Sequence, residues 1–318
     1  MNSFVVALDV GGTSMKGGLV TRSGEIIRTD RRATPRDRGP AVVVATIRSF
    51  IDDLATAGGG APAGVGLAVP GLVTADAALY SANIGWRDVP ATDFVPLDVP
   101  VMLGHDVRTG GLAESVLGAG REFSDFLFLP IGTGIAGAVI LHGEPYGGTA
   151  GWGGEIGHIP VFPEGEPCAC GQIGCLETYA SASAVARRYS TRATSSASPV
   201  TAEQVAALTA SGDPLAMEIW DEAVEALSLA LASYALLLDP SAIVLGGGLA
   251  EAGSLLSVPL AERLQKRLAF RDAPPLRQAA LGVSAGMLGA ALLGWRAAGF
   301  ADAGVTWSPD VLKTPRVA

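Results

Sequence analysis

The sequence predicts an α/β fold in which one structural unit occurs twice. Each copy begins with a short apolar strand, continues through a glycine turn and ends in a second strand. The first copy starts at Phe4 and turns at Gly11-Gly12-Thr13; the second starts at Phe126, about 120 residues later, and turns at Gly132-Thr133-Gly134. Helical patterns follow each copy. A repeat of this length indicates a duplicated domain core and not a solenoid.

The elements of the first half follow from local patterns. Short apolar runs bounded by glycine or proline are typical of strands, and apolar residues at helical spacing ahead of a triple glycine predict a helix. The predicted strands are Phe4–Val10, Gly17–Val20, Gly64–Val69 and Val101–Leu103, and the predicted helices are Pro40–Ala57 and one from about Arg108 to Leu117.

The second half repeats the strand pattern and is richer in helices. Its predicted strands are Phe126–Pro130, Ala138–Leu141 and Ile243–Leu245, its helices are Ala202–Leu208, Pro214–Leu238 and Pro259–Leu268, and Thr191–Ser198 is a polar loop. A triglycine turn, Gly246–Gly248, closes the last strand. We expect a small N-terminal lobe of residues 1–118, completed by a helix near 284–298 with Ser284 as N-cap, and a large lobe of residues 119–283.

Composition excludes several classes of function. The chain has 318 residues, which favours two domains, and 22 Lys and Arg against 31 Asp and Glu give a net charge of −9. Basic residues form no run, so we expect no nucleic-acid partner. An acidic protein can nevertheless bind a phosphorylated ligand, because backbone amides bind phosphate without side-chain charge.

Targeting signals are not apparent in the sequence. The N-terminal residues lack the charged and apolar regions of a secretory signal, which predicts a cytoplasmic protein. The uncharged stretch Ala226–Leu238 is too short to span a bilayer. A second stretch, Ala279–Trp295, is only weakly hydrophobic because of its glycines, so we expect a buried helix and no membrane association.

The three cysteines of the chain lie close together. Cys168, Cys170 and Cys175 fall within eight residues, and His158 stands ten residues before the first of them. Three thiolates and an imidazole are the ligand set of a closed structural zinc site, and an odd number of cysteines fits a disulfide framework less well. Glu155 and Glu177 flank this segment without being needed as ligands. The loop is therefore predicted to be held rigid so that it can bind something else.

The glycine turns need a separate explanation. Gly132 to Gly137 match the dinucleotide pattern G-x-G-x-x-G, but a strand follows instead of a helix, which argues against a Rossmann site. A strand–glycine–strand turn can still bind phosphate through successive N–H groups. Asp9, at the end of the first strand, would then handle Mg²⁺ or its water shell. Each turn taken alone is better explained as an ordinary hairpin with a solvated aspartate. Their repetition in the two halves, with the third turn at Gly246–Gly248, favours phosphate binding instead.

Several motifs together resemble the ROK family, whose best-known enzymes are bacterial glucokinases. The most specific is G-H-x4-P-x-G-x2-C-x-C-G-x2-G-C-L-E, complete from Gly157 to Glu177. The resemblance covers nearly the whole chain in order, through Asp9-Val-Gly-Gly-Thr13, Ala68-Val-Pro-Gly71-Leu-Val73, Asp106, Ile131-Gly-Thr-Gly134-Ile-Ala-Gly137 and Val244-Leu-Gly-Gly-Gly248.

The resemblance implies a fold and a reaction. The fold is actin/hexokinase-like, with two α/β lobes and a cleft between them. The reaction is ATP-dependent phosphorylation of a sugar hydroxyl, with Mg²⁺ and a structural Zn²⁺ as cofactors. We also expect a homodimer or homotetramer on this basis alone.

The resemblance also implies roles for individual residues. The first phosphate loop would contain Asp9, Gly11, Gly12 and Thr13, the second Gly132, Thr133 and Gly134, and Gly246, Gly247 and Gly248 would lie near adenosine. The zinc ligands would be His158, Cys168, Cys170 and Cys175. The sugar would contact Gly71, Asn83, His105, Asp106, Glu155, His158 and Glu177, with Asp106 as the catalytic base, whereas Trp86 is expected to pack in the core.

One position departs from the family pattern. The residue before the catalytic aspartate is usually Asn, which helps to bind sugar hydroxyls, and here it is His105. This change leaves the identity of the sugar more open than the type of reaction. The residue pattern alone also gives Asp106 an ordinary alternative role as the N-cap of the following helix, and the two roles are compatible.

Other functions remain open at this stage. Glucose is the expected acceptor, but kinases for N-acetylmannosamine, N-acetylglucosamine, mannose and fructose share these motifs, and polyphosphate is a conceivable donor. A sugar-sensing regulator of this family would carry a DNA-binding domain before the first strand. We do not expect such a regulator here, because the first predicted strand begins at Phe4. A zinc-stabilised sugar-binding module without catalysis is disfavoured by the presence of Asp9, Thr13 and Asp106.

Overall fold

The computed structural model describes residues 3–193 and 200–308, which form two compact units. The described part of the first unit consists of residues 3–121, 143–152 and 283–308, and that of the second consists of residues 122–142, 153–193 and 200–282. The segment 143–152, which the sequence-based division placed in the large lobe, groups with the first unit.

The chain contains these elements up to residue 152. They are β1 (Phe4–Val10), β2 (Ser14–Thr21), β3 (Ile26–Ala33), α1 (Pro40–Ala57), β4 (Val65–Val69), β5 (Leu72–Val73), β6 (Ala77–Tyr80), β7 (Arg87–Pro90), β8 (Val101–His105), α2 (Asp106–Leu117), β9 (Phe126–Pro130), β10 (Ala138–Leu141) and β11 (Glu144–Tyr146). Short 3-10 helices occupy Arg36–Arg38 and Ala91–Phe94.

The remaining elements are mostly helical. They are α3 (Glu177–Ala180), α4 (Ala182–Arg192), α5 (Ala202–Ala210), α6 (Pro214–Leu238), β12 (Ala242–Gly246), α7 (Gly247–Ala250), α8 (Ser254–Arg267), β13 (Leu276–Gln278) and α9 (Ala285–Ala297). Further 3-10 helices occupy Ile156–His158 and Gly282–Ser284.

The sheets of the two units share one topology, which confirms the predicted duplication. In the first unit β1 pairs antiparallel with β2 and parallel with β4, and β8 extends the sheet parallel to β4. In the second unit β9 pairs antiparallel with β10 and parallel with β12, and β13 extends the sheet parallel to β12. The predicted strands Phe4–Val10, Phe126–Pro130 and Ala138–Leu141 and the predicted helix Pro40–Ala57 have the predicted bounds.

Strands β3, β5, β6, β7, β11 and β13 were not predicted. In β3 the residues after Ile26 are mostly exposed and include Arg28, Asp30, Arg31 and Arg32. This strand forms the edge of the first sheet, beside β2. An edge strand with a solvated face carries no apolar run, which is why its sequence did not indicate a strand.

Helices α1 and α9 cover opposite faces of the first sheet. A Cβ on Gly17 would meet Leu54 and Phe50 of α1, whereas a Cβ on the next residue, Gly18, would meet Met287 of α9. Successive strand residues point to opposite faces, so the two helices sandwich the sheet. This sandwich forms the hydrophobic core of the first unit.

Glycine allows α9 to approach the sheet closely. A Cβ on Gly66 of β4 would lie 1.8 Å from the carbonyl oxygen of Ala290, and a Cβ on Gly289 would lie 2.0 Å from that of Thr109 in α2. The glycines that make this stretch only weakly hydrophobic are therefore contact positions. Ser284 stands at the N-cap position of α9 but makes no side-chain cap bond.

Helix α6 forms the centre of the second unit, in contact with α3, α4, α5 and α8. The prediction that a helix begins at Pro259 is wrong, because α8 begins at Ser254 and contains Pro259 in its interior. Proline lacks the N–H that would bond the carbonyl of Leu255, four residues earlier. The indole Nε1 of Trp220 donates to that carbonyl instead, at 3.1 Å, which allows the helix to continue.

The predicted polar loop Thr191–Ser198 is only partly described. Helix α4 continues through Arg192, so the first two residues of the predicted loop are helical. Residues 194–198 of the prediction lie outside the described part of the chain. None of the described helices combines the length and apolar character needed to cross a bilayer.

The contact between Gly66 and α9 gives a test of the packing in the hydrophobic core of the first unit. We expect Gly66→Ala to lower the melting temperature by roughly 6–12 °C, because the new methyl group would overlap helix backbone and overpacking of this kind costs about 3 kcal/mol. Gly60→Ala is the matched control, since its Cβ would meet no atom within 4 Å. Equal melting temperatures for the two variants by calorimetry would contradict the packing described here.

Candidate active site

The turn between β1 and β2 is held by a residue that the sequence patterns did not indicate. Gly11 N–H donates to the Ser14 carbonyl at 3.0 Å, which closes the turn locally. Thr34, directly after β3, donates its hydroxyl to the Gly11 carbonyl at 2.7 Å and its N–H to the Thr13 carbonyl at 3.0 Å. A lone threonine twenty residues away carries no recognisable signal, and only the sheet brings it to the turn.

Asp9 lies where the turn meets helix α9. A Cβ on Gly286, in the first turn of that helix, would lie 2.5 Å from the Asp9 carboxylate, so a side chain there would displace that carboxylate. Burial and the neighbouring Asp106 raise the pKa of Asp9 to about 6, and Lys16 opposes the rise. Lys16 stands directly opposite Asp9 in the β1–β2 ladder. The sequence patterns missed the roles of both Lys16 and Gly286.

Asp106 is the first residue of α2, and His105 is its N-cap. The Asp106 Oδ1 accepts a hydrogen bond from the Val107 N–H at 2.8 Å, and the His105 Nδ1 accepts from the Arg108 N–H at 3.4 Å. The interpretation of Asp106 as N-cap is therefore wrong. The strand β8 extends through His105, which keeps the extended backbone that a cap residue needs.

The Asp106 carboxyl combines a low-polarity setting with access to solvent. Its side chain is 30% exposed, so a ligand can reach it. Burial nevertheless raises the pKa of Asp106 to about 6, while the Val107 N–H and the charge of Arg108 oppose the rise. A carboxylate with a raised pKa is better able to accept a proton at neutral pH than an ordinary surface aspartate.

The second glycine turn lies between β9 and β10. Gly132 N–H donates to the Gly134 carbonyl at 3.1 Å, and Ile131 and Ile135 pair across the turn. The Ser183 hydroxyl donates to the Thr133 carbonyl. Ser183 holds this turn as Thr34 holds the first, and it too was not predicted from the sequence.

The triglycine segment contacts the second turn but is not itself a turn. Gly246 ends β12 and Gly247 begins α7, which corrects the prediction for this segment. Gly247 has φ +75°, and a Cβ there would lie 2.5 Å from the Ile131 carbonyl oxygen. The Leu249 N–H donates to that same oxygen at 3.1 Å. The segment therefore lies beside the turn at Gly132–Gly134.

The predicted zinc ligands form one cluster. The ligand atoms of His158, Cys168, Cys170 and Cys175 all lie within 4.8 Å of one another. The Sγ atoms of Cys170 and Cys175 are 3.7 Å apart, and the Cys168 Sγ is 3.8 Å from the His158 Nδ1. Two sulfurs bound to tetrahedral zinc at about 2.3 Å lie about 3.8 Å apart, so the donor set fits that metal. The sulfur separation also excludes a disulfide, which needs about 2.05 Å.

The loop around this cluster is anchored a second time, by charged side chains. The carboxylate of Glu166 accepts from Arg187 at 2.7 Å and from Arg188 at 2.8 Å, and Arg188 also pairs with Glu222 of α6. The Glu166 N–H donates to the hydroxyl of Tyr179 at 2.6 Å. Arg188 is only 8% exposed, so its guanidinium is shielded from solvent, whereas its partners Glu166 and Glu222 are 35% and 37% exposed. The sequence did not indicate it, because its members come from different helices.

One of the two carboxylates that flank the loop, that of Glu177, contacts the residue that follows the second turn. The Oε2 of Glu177 accepts from the Ile135 N–H at 2.7 Å. Glu155 precedes the 3-10 helix that contains Gly157 and His158, and a Cβ on Gly157 would lie 2.0 Å from the Ile135 carbonyl oxygen. The Glu177 carboxylate and the 3-10 helix that follows Glu155 and contains His158 therefore lie beside the segment that follows Gly134.

The remaining predicted residues lie in the first unit. Asn83 is exposed, in a loop between β6 and β7. Gly71 has φ +99°, and a Cβ there would lie 2.1 Å from the Tyr80 carbonyl oxygen. Trp86 is buried with its ring centroid 5.4 Å from that of Phe94, which confirms that it packs in the core.

Comparison with known proteins identifies the family. The model of the ROK family matches residues 5–296. The chain belongs to the ROK family. Among curated ROK-like relatives, the glucokinase of Halalkalibacterium halodurans is 33% identical over 311 residues, covering 91% of this chain and 93% of that protein. An N-acetylgalactosamine kinase of Shewanella sp. is 32% identical over 304 residues, covering 90% and 95%.

Solved structures place this ROK protein in the actin/hexokinase-like fold class, as expected. The ROK hexokinase from Thermus thermophilus superposes with a TM-score of 0.78 at 33% identity, covering 92% of this chain and 98% of that one. The ROK family glucokinase from Streptomyces griseus, in complex with glucose and AMPPNP, gives a TM-score of 0.78 at 29% identity, covering 92% and 100%.

The cysteine cluster gives a direct test of metal binding. We expect the purified protein to contain about one zinc ion, and Cys170→Ala to lose it and to melt at a lower temperature, because metal binding contributes to the stability of the loop. Ile173→Ala, an exposed change in the same loop, is the control and should keep both. A full zinc content in Cys170→Ala, measured by mass spectrometry, would contradict the assignment.

Proposed function

We propose that this ROK sugar kinase transfers the γ-phosphoryl group of ATP to a hexose hydroxyl, with glucose as acceptor and glucose 6-phosphate as product. The observation that carries the proposal concerns three glycines, one in each candidate nucleotide motif. A Cβ on Gly12, Gly132 or Gly248 would meet no described protein atom within 4 Å, and none of the three has a positive φ. Neither packing nor backbone conformation requires glycine there, whereas close approach of a phosphate group does.

The two glycine turns supply N–H groups for the phosphates. Thr34 and Ser183 fix the turns from outside, so their backbone is organised before a ligand arrives. Phosphoryl transfer depends mainly on positioning and charge neutralisation, which fixed backbone donors provide. Asp9, beside the first turn, is the residue we assign to Mg²⁺ or its water shell. Bound Mg²⁺ would neutralise charge on the phosphates.

Asp106 is the residue we assign as general base. Phosphoryl transfer needs a group that accepts the proton of the attacking hydroxyl. The Asp106 carboxylate is reachable, has a raised pKa and is fixed through Oδ1 by the Val107 N–H. Its position at the start of α2 makes the direction of the side chain well defined.

Glu155, Glu177 and His158 are the residues we assign to the sugar hydroxyls. Carboxylates accept hydrogen bonds from hydroxyls, and a pair of them on one wall selects hydroxyl geometry. His158 Nδ1 faces Cys168, so Nε2 remains for the sugar. Zinc at this cluster would have four protein ligands and would serve to hold the loop, with no open position for chemistry.

The identity of the sugar has a second candidate. The chain is about equally similar to a glucokinase, at 33%, and to an N-acetylgalactosamine kinase, at 32%. An N-acetylated hexose is therefore the alternative acceptor. His105, where the family usually has Asn, changes one position next to the proposed base and does not by itself favour either sugar.

A sugar panel tests the proposed reaction. ADP release is measured with glucose, mannose, fructose, N-acetylglucosamine, N-acetylmannosamine and N-acetylgalactosamine, with ATP or polyphosphate as donor, and we expect the highest kcat/KM with glucose and ATP. Asp106→Asn should lower kcat by about 10²–10⁴-fold while keeping the fold. Asp37→Asn removes an equal charge from an exposed site and serves as control. Turnover in Asp106→Asn close to the unmodified rate would refute the assignment of the base.

The open glycines predict a separation between binding and stability. We expect Gly132→Ala to raise the KM for ATP at least tenfold, because the added methyl group projects into the space assigned to phosphate, and to leave the melting temperature within about 1 °C. Gly60→Ala, which also has open space around its Cβ, should change neither. An unchanged KM for ATP in Gly132→Ala, measured by coupled ADP release, would argue against phosphate binding at this turn.

A further inference from the structure

His105 places one ring nitrogen between a backbone amide and the proposed base. Its Nδ1 lies 3.4 Å from the backbone nitrogen of Arg108 and 3.3 Å from the Asp106 Oδ1. The imidazole is 11% exposed, so water competes weakly for either contact. The two contacts exclude each other, because Nδ1 accepts from the amide only without a proton and bonds the carboxylate only with one.

The Asp106 carboxylate has two oxygens with different surroundings. Oδ1 accepts from the Val107 N–H at 2.8 Å and faces His105 at 3.3 Å. A proton on Nδ1 therefore adds a second bond to an oxygen that is already anchored. The carboxylate is then held through Oδ1, and this leaves its other oxygen, Oδ2, directed to the substrate hydroxyl.

We propose that His105 is a positioning residue for Asp106: its imidazole holds Oδ1, and its protonated form keeps the carboxylate ionised when the solution becomes mildly acidic. The proposal rests on the proposed function of Asp106 as general base. It adds a role that an asparagine at this position could fill only in part, because an amide can cap the helix and donate a hydrogen bond but cannot carry charge.

The neighbouring charges make such a cation useful. Asp9 and Asp106 repel each other, which contributes to the raised pKa of Asp9. Lys16 faces Asp9 across the β1–β2 ladder and donates to the Val283 carbonyl at 3.2 Å. These contacts direct the Lys16 charge toward Asp9 and α9.

The two arginines that share a cavity of about 190 Å³ with His105 are also engaged. Arg108 donates to the Gly151 carbonyl at 2.8 Å, and Arg296 binds both carboxylate oxygens of Glu144, at 2.7 and 2.8 Å. His105 differs from these cations in that its charge can appear at the pH where the buried carboxylate would begin to take up a proton. Its protonation therefore opposes neutralisation of the base.

The test compares pH profiles. Sugar kcat/KM is measured between pH 5 and 8 at saturating ATP for the unmodified enzyme, His105→Asn and His105→Leu, each normalised to its own plateau. We expect the midpoint of the acid limb to lie about one pH unit higher in both variants, since an opposite charge at this distance lowers a carboxyl pKa by one unit or more. Titration of ATP is common to all three and does not affect the difference.

The two variants also separate positioning from charge. We expect His105→Leu to lower the plateau at least tenfold and His105→Asn to recover most of that loss, because the amide can still cap α2 and hold Oδ1. The expected result is that His105→Asn recovers most of the plateau kcat/KM while the midpoint of its acid limb stays at the higher pH. His142→Asn is the control; its side chain is 93% exposed, and its profile should match the unmodified enzyme.

A second measurement applies even if a His105 variant folds poorly. The chain has three histidines, so ¹⁵N-histidine labelling gives three resolvable imidazoles. We expect the His105 pKa to fall by about one unit in Asp106→Asn, because the neighbouring negative charge is then absent. An unchanged His105 titration in that variant, or coincident acid limbs, would overturn this proposal while leaving the base in place. An Asp106→Asn enzyme with normal turnover would instead overturn the proposed function itself.

Discussion

Two carboxylates held close together inside the first unit set the requirements for much of the surrounding structure. Asp9 and Asp106 both have a pKa of about 6, mainly because burial disfavours their charge. Helix α9 can approach Asp9 closely because Gly286 has no side chain there. The charge of Lys16 opposes the rise in the pKa of Asp9. The order of the sheet matters for the same reason, since β1, β4 and β8 lie side by side and bring both residues to one end.

Glycine serves two different purposes in this ROK sugar kinase. At Gly66 and Gly289 a side chain would collide with the backbone of a neighbouring element. Gly66 therefore sets the distance between the sheet and α9, and Gly289 the distance between α9 and α2. At Gly12, Gly132 and Gly248 a side chain would meet open space. The glycines of the first group allow close packing, and those of the second leave open space, which the proposed function assigns to a ligand. Because all are glycine, the sequence alone does not distinguish the two groups.

The loop that carries the cysteine cluster is fixed at two levels. The cluster joins residues that are near in sequence, whereas Glu166 and Arg188 attach the loop to helices farther along the chain. A metal alone would hold the loop compact without orienting it. The ion pairs supply that orientation, and the Glu177–Ile135 hydrogen bond then places the loop against the second glycine turn. In the proposed function, this combination would let a structural metal site define the wall that binds the sugar.

Features that depend on residues near one another in the chain could be predicted from the sequence. The strand bounds at Phe4–Val10, the helix Pro40–Ala57 and the grouping of the cysteines follow from local periodicity and spacing. Three other features became apparent only in the folded protein: the residue that caps α2, the continuation of a helix through Pro259, and the side chains that hold the glycine turns. These features rest on contacts between residues far apart in the chain, or on where a strand ends, and the energy of such contacts exists only once the sheets and helices have assembled.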